Sequence, residues 1–308
     1  MRTTKCAVAI MGATATGKSD VAIRMAKEFD GEIISMDSRQ VYRGFDIGTG
    51  KVTADDRRRV PHHLIDILEP HEFNSAGKHA AHARTIFDEI LDKNKTPFLV
   101  GGTGLYFRVL FHGIIDVNIP EEESKLFRQA LSEQATRELY ENLREIDPER
   151  AAALSPRDRV RVLRAIEICL LTGKTHSEHI AGQRPGADWG GLKIVLTLPR
   201  AALRKRIAER TREMYERGWV DEVRSLLASG VGLEAPAMKS LGYDVIARAL
   251  AARLDPDATI DTVITRTQQY AKRQETFFRS ERDAHWIDVS ASDGVEAVKG
   301  LIRMHFGL

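Results

Sequence analysis

Cysteine is scarce: Cys6 and Cys169 are the only two in 308 residues. That excludes a disulfide framework and any zinc module built on cysteine. Aromatics make up only 6% of the chain, and 46 Lys and Arg against 44 Asp and Glu leave a net charge of +2. The strong basic excess usual in nucleic-acid-binding domains is therefore missing from the whole-chain balance. Long apolar runs are missing too; none approaches the ~18–20 residues of a membrane span. The opening MRTTKC and the short apolar stretch behind it are wrongly flanked for a signal peptide. These absences lead to the expectation of a soluble protein in a reducing, cytoplasmic compartment with no membrane partner. What is plentiful is apolar material, 43% of residues, enough to bury a sizeable core.

The first hundred residues alternate short apolar runs with helical patterns. Ala7–Met11, Glu32–Met36 and Phe98–Val100 read as buried strands, and Asp20–Phe29 and Ala76–Asn94 as helices. Further strands are expected at Lys193–Leu198 and His285–Val289. Such alternation predicts an α/β fold, a parallel sheet with helices on both faces. Residues 120–190 break the pattern. They are rich in Glu, Arg, Ala and Leu, hold no convincing strand, and restart helices at Asp147-Pro148 and Ser155-Pro156. The loop Gly182–Gly191 closes them. The expected organisation is a core in two parts, 1–119 and 191–308, around an all-helical insertion at 120–190.

Gly12-Ala13-Thr14-Ala15-Thr16-Gly17-Lys18-Ser19 fits G-x-x-x-x-G-K-[ST] between the first strand and the first helix, the setting in which that motif carries weight. The backbone curls its N–H groups toward phosphate oxygens, Lys18 neutralises charge, and the Ser19 hydroxyl can ligate Mg²⁺. A P-loop NTPase-like core follows, built for a diphosphate or polyphosphate with Mg²⁺ but not for ATP in particular. The alternative is a chance match in a loop.

Asp37 follows the second strand, where ligands bind beyond the carboxyl ends of strands in open α/β sheets. It can act as a general base or order metal-bound water; equally, it can be a helix N-cap. Gly101-Gly102-Thr103-Gly104 follows the third strand and offers one hydroxyl, Thr103. It is either a ligand approach or a tight strand-to-helix turn.

The positive charge is gathered locally. Arg157, Arg161 and Arg164 are expected on one helix face, with Asp158 and Glu167 as nearby counter-charges. The face is either solvated or aimed at a phosphate backbone. Arg204, Lys205, Arg206, Arg210 and Arg212 follow the Lys193–Leu198 strand, and Arg206 or Arg210 could clamp a leaving diphosphate. Tyr270, Lys272, Arg273, Phe277, Phe278 and Arg279 mix aromatics with cations, as nucleic-acid contacts or as ordinary core. His62, His63, His79, His82, His176 and His179 lack a metalloprotease pattern and read as structural or surface residues.

Taken together, these segments resemble the tRNA dimethylallyltransferase (tRNA isopentenyltransferase) family. The hallmarks run in order: GATATGKS at 12–19, DSRQVYRGFDIGTGK at 37–51, HHLID at 62–66, GGTGLY at 101–106, DPERAAALSPRDRVRVLRAIE at 147–167, MYERGWVDEV at 214–223, LGY at 241–243 and QYAKRQETFFR at 269–279. The resemblance, to the bacterial form without a C-terminal C₂H₂ finger, implies transfer of a dimethylallyl group from dimethylallyl diphosphate to N6 of the adenosine 3′ to the anticodon. It implies Mg²⁺ as cofactor, with a tRNA anticodon stem-loop and dimethylallyl diphosphate as partners; separately, a monomer is expected, although the sequence leaves the oligomeric state open. The loop Gly12–Ser19 would hold the prenyl diphosphate, an ATP-binding label notwithstanding. Asp37 would accept the N6 proton, with Lys18, Ser19, Thr103 and Arg210 assisting the departing diphosphate.

By the same resemblance, tRNA would meet Asp37, Ser38, Arg39, Gln40, Thr103 and Arg128, then Val160, Arg161, Val162, Leu163 and Arg164. Further contacts would come from Lys239, Ser240, Leu241, Gly242, Tyr243 and Asp244, and from Lys272, Arg273, Gln274, Phe277, Phe278 and Arg279. The insertion would grip the anticodon stem. Departures from the family pattern are Ala13 for proline, Gly50-Lys51-Val52 for Ala-Lys-Pro, Phe277 for tryptophan, and a histidine-rich Pro70–His82. A P-loop small-molecule kinase and an adenylate isopentenyltransferase are the rival enzymes. A non-catalytic RNA-binding module is the rival of a different class.

Overall fold

The protein is described by a computed structural model over residues 7–113, 117, 119–182 and 191–308. The segment 1–6 and most of the expected loop at 182–191 lie outside the described residues. In chain order the elements are β1 (Val8–Gly12), α1 (Lys18–Glu28), β2 (Gly31–Ser35), α2 (Ala54–Arg59), β3 (His62–His63), α3 (Ala76–Asp92), β4 (Thr96–Gly101) and α4 (Gly104–His112). Then come α5 (Glu121–Ala130), α6 (Thr136–Ile146), α7 (Pro148–Ala152), α8 (Arg159–Thr172) and α9 (His176–Ala181). The chain ends with β5 (Leu192–Thr197), α10 (Arg200–Glu216), α11 (Trp219–Ala228), α12 (Tyr243–Ala251), α13 (Ile260–Phe278), β6 (Ala284–Asp288) and α14 (Gly294–Phe306).

The strands form one parallel sheet in the order β3-β2-β4-β1-β5-β6. β1 lies between β4 and β5, with Val8 opposite both Phe98 and Leu192. Its side chains alternate between two cores. Val8 and Ile10 join Phe98, Ile194 and Leu196 in the layer that includes α1 and α14. Ala9 and Met11 join Leu99, Val195 and the α3 and α4 residues Phe87 and Phe107 on the other face. Strands covered on both faces are near-continuously apolar, as β1 is, which makes them legible as runs. β3 carries no such run. It is two histidines pairing with Ile33 and Ile34, so its polar sequence hides an edge strand. A third core, around Tyr42, Phe45, Trp219 and Tyr243, joins α11 and α12 to the segment after β2.

The chain divides into two compact units, Met1–Phe111 with Asp188–Leu308, and His112–Ala187. In its described residues the second unit is helical, packed around Leu139, Leu143, Val162, Ala165 and Ile166. Asp147 caps α7, its carboxylate accepting from Arg150 N at 3.0 Å, with Pro148 in the first turn. Ser155-Pro156, in contrast, starts no helix. Asp158 N donates to Ser155 O at 2.9 Å to close a turn, and Asp158 then caps α8 through Arg161 N. Arg157 therefore precedes α8 and drops out of the expected arginine face.

The two counter-charges are both engaged. Arg161 pairs with Asp158 at 3.2 Å and Arg164 with Glu167 at 3.0 Å. Glu167 is fully buried and also accepts from Arg128 and from Ser124. Burial alone would raise its pKa, but the hydrogen bonds from Ser124, Arg164 and Arg128 outweigh burial and hold it below the usual carboxylate range. Arg159 donates to the carbonyls of Leu131 and Ser132, both at 2.8 Å, so it fastens α8 to the end of α5.

Candidate active site

The loop after β1 turns into α1 at Gly17, whose φ of +88° lies in the left-handed region that glycine adopts without strain. Inside the loop, Thr16 Oγ1 donates to Ala13 O at 2.9 Å and Lys18 Nζ donates to the same oxygen at 2.6 Å. Lys18 keeps some accessible surface, but its ammonium end is enclosed. Burial lowers its pKa to about 7, Asp37 opposing the shift and Arg210 adding to it. α10 leans over this loop. The Arg206 guanidinium sits 3.5 Å from where a Cβ on Gly17 would be, and Arg210 Nη2 lies 1.8 Å from the corresponding point on Gly50. Burial, with Arg206 alongside, also lowers the pKa of Arg210.

Across the cleft, Asp37 Oδ1 accepts from Arg39 N at 2.8 Å and Gln40 N at 3.3 Å, so the carboxylate caps its own turn. The base and cap readings are compatible, because the cap uses one oxygen; among the described residues Oδ2 accepts no hydrogen bond. Thr103 N donates to Met36 O at 3.2 Å, and Thr103 Oγ1 accepts from Ser38 N at 3.1 Å. Below this turn, His79 stacks on Tyr106 with centroids 4.1 Å apart, its Nε2 bonded to Ser35 O at 2.9 Å. Burial takes the pKa of His79 down to about 4, so it stands neutral.

A cleft of about 1160 Å³ joins the two sides, lined entirely by residues of the first compact unit. It brings together Thr14, Ala15, Gly17, Lys18, Ser19, Asp37, Ser38, Arg39, Gln40, Arg210, Lys239, Leu241, Asp244 and Arg273. Gly12, Ala13 and Thr16 shape the loop from behind, and Thr103 supports Ser38 without lining the cleft. Other expected residues do not reach a surface. Val162, Tyr243 and Phe278 are completely buried, so their side chains pack inside the fold, whereas Ser240, nearly buried, still lines the cleft beside Lys239 and Leu241. Tyr243 Oη donates to Glu222 and accepts from Gly48 N. Phe277 packs against Gly104 under the Arg108 guanidinium, 4.1 Å from its ring centroid. Lys272 and Arg279 are exposed, Arg279 pairing with Glu275 at 3.3 Å. In the second unit Val160 is 79% exposed, Leu163 packs partly into the core, and Arg128 is tied to Glu167.

Sequence reasoning missed Arg217, Arg266 and the strap Gly48–Val52 as walls of the cleft. The strap had a signal, the glycines inside the 37–51 block. Its lysine is structural: Lys51 Nζ donates to Tyr42 O and to the carboxylates of Asp46 and Asp66. The histidines likewise have fixed partners, His62 with Val60 O at 2.7 Å and His63 with Glu32 at 2.8 Å.

The family profile described as IPP transferase matches residues 40–281, and one described as isopentenyl transferase matches residues 6–64. A protein of Dictyoglomus turgidum named tRNA dimethylallyltransferase is 39% identical over 285 residues, 91% of this chain and 86% of its own. One from Citrifermentans bemidjiense, named tRNA dimethylallyltransferase 1, is 41% identical over 289 residues, 92% of each chain. Among solved structures, the full-length tRNA isopentenylpyrophosphate transferase of Bacillus halodurans superposes with a TM-score of 0.72 at 35% identity, covering 98% of this chain and 96% of that one. A eukaryotic dimethylallyltransferase acting on tRNA gives a TM-score of 0.82 at 26% identity over 96% of this chain and 78% of its own. With sequence and fold matched along nearly its whole length, the chain belongs to the tRNA dimethylallyltransferase family.

Proposed function

We propose that this chain transfers the dimethylallyl group of dimethylallyl diphosphate to N6 of the adenosine 3′ to the anticodon of tRNA. The observation that carries the reading is the shared cleft: the phosphate-type loop with Lys18 and the carboxylate of Asp37 face one space, with Arg206 and Arg210 beside it. An adenine exocyclic amine is a weak nucleophile, so its proton must leave as the allylic carbon is attacked. The N6–C bond forms, the C–O bond to diphosphate breaks, and the N6 proton passes to Asp37. The developing charge on diphosphate meets the loop amides, Lys18 and Arg210, preorganised donors of the kind that stabilise a leaving anion.

Ser19, at the first turn of α1 on the cleft wall, fits the hydroxyl ligand that Mg²⁺ takes beside substrate phosphates. Bound there, the ion would neutralise part of the diphosphate charge. Ser38, Arg39, Gln40, Lys239, Leu241, Asp244 and Arg273 line the cleft where the target base must be flipped out of its stack to enter. Val160, Arg161 and Arg164 of the helical unit, with Arg128, carry the anticodon-stem contact. In this reading the enzyme acts as a monomer. It works in the cytoplasm, and no helix among the described residues is long and apolar enough to cross a membrane.

The test is incubation with unmodified tRNA and radiolabelled dimethylallyl diphosphate, without ATP. Label enters the RNA with the wild type and falls by ~10²-fold or more with Asp37→Ala. Label that stays off the RNA, or an Asp37→Ala enzyme at full rate, overturns the reading.

A further inference from the structure

Gln274 sits on α13 and is only 7% exposed. Its Oε1 accepts from Thr14 N of the phosphate-type loop at 2.9 Å, and its Nε2 donates to Gly102 O of the turn after β4, also at 2.9 Å. One buried side chain thus ties together the loops that follow the paired strands β1 and β4, both of which line the cleft. The helix that carries it is fixed by the same face. Ala271, one turn before, packs with Ala13, Ala15 and Ile207, and Phe278, one turn after, is buried against Phe107. Gly102 is shaped for it, since a Cβ there would lie 2.3 Å from Gln274 Nε2.

We infer that Gln274 is a positioning residue that sets the diphosphate loop in register with the carboxylate of Asp37. The connection is continuous: Thr14 to Gln274, Gln274 to Gly102, and from the adjoining Thr103 to Met36 O and Ser38 N on either side of Asp37. Glutamine alone suits both ends. It presents an acceptor to an N–H and a donor to a carbonyl; glutamate would set an anion against Gly102 O, and an apolar residue would strand both buried groups. The inference rests on the reaction proposed above, because register between donor and base matters only if both act on one substrate pair. It also gives this residue of the 269–279 block a partner other than tRNA.

The experiment compares the wild type, Gln274→Met and Gln274→Glu. In the transfer assay, Gln274→Met lowers kcat by ~10-fold or more while KM for tRNA stays within ~3-fold, the mark of misaligned reactants. Gln274→Glu is equally slow at pH 8, and its kcat relative to wild type recovers toward pH 6, where a protonated carboxyl can again donate to Gly102 O. Hydrogen exchange at the Thr14 amide, read by mass spectrometry without substrate, is protected in the wild type and accelerates in Gln274→Met. The inference is overturned by a Gln274→Met enzyme with wild-type kcat, by a Gln274→Glu ratio flat across pH, or by an unchanged Thr14 exchange rate. A raised KM for tRNA at unchanged kcat overturns it in favour of a direct tRNA contact. If the wild type itself transfers no label, the reaction reading fails, and the Thr14 exchange still decides whether Gln274 holds the loop.

Discussion

Lys18 and Ala13 are joined at 2.6 Å, the ammonium donating to the carbonyl oxygen of the loop that carries it. Burial desolvates the cation and lowers its pKa to about 7 from 10.5, against the pull of Asp37. The folded chain binds fewer protons here than the unfolded chain between those values, so this lysine costs stability, in full below pH 7 and less as pH rises toward 10.5. Lys18→Met accordingly raises the melting temperature at pH 7, by about 2–4 °C for each kcal/mol recovered. The gain shrinks at pH 9.5. Calorimetric melts of both proteins at the two pH values check this, and an equal gain at both refutes the desolvation argument.

Asp37 both caps its turn and faces the cleft. Asp37→Asn keeps an oxygen that can accept from Arg39 N and Gln40 N but has no basic carboxylate. The expected result is an unchanged melting temperature with kcat lowered about 10²–10⁴-fold. A large loss of stability would instead make the cap the main duty of the residue.

Glu167 gathers Ser124, Arg128 and Arg164 in the helical unit. Glu167→Ala strands two arginines that remain half exposed, so the cost is about 1–3 kcal/mol and not the larger value of a fully buried pair. The folded pKa is depressed, so this stabilisation is present above the unfolded value of 4.5 and is lost as pH falls through the lower folded one. Urea melts at pH 6 and pH 3 should show the gap between wild type and Glu167→Gln closing at the acid end.

Arg161 is 69% exposed and its partner Asp158 is on the same helix end, a surface pair worth little to stability. Arg161→Ala should leave the melting temperature within a degree or so and weaken tRNA binding, reducing the slope of log K against log salt by about 1. Titrations of tRNA at several salt concentrations measure it; an unchanged slope returns α8 to a solvated face.

Much of the core was legible because its signals are local. The P-loop needs a strand, a glycine turn and a helix within a few residues, and doubly covered strands such as Val8–Gly12 are near-continuously apolar. The helical character of 120–182 followed from composition and capping, although Ser155-Pro156 proved to be a turn because Asp158 provides the cap one turn later. β3 stayed hidden because His62 and His63 join the sheet through backbone pairing with β2, which leaves no mark on side-chain pattern.

By itself the sequence determined the phosphate-type loop, the carboxylate after β2, the parallel strands and the family, all written in residues close along the chain. The tertiary structure decided which residues of those motifs face the cleft. Tyr243 and Phe278 carry motif positions yet are completely buried. Gln274 finds its partners 260 and 172 residues away. Lys51 spends its charge on two aspartates inside the fold. The reason is physical: periodicity and propensity act between neighbours, whereas burial and hydrogen-bond partnership are settled by packing between segments remote in sequence.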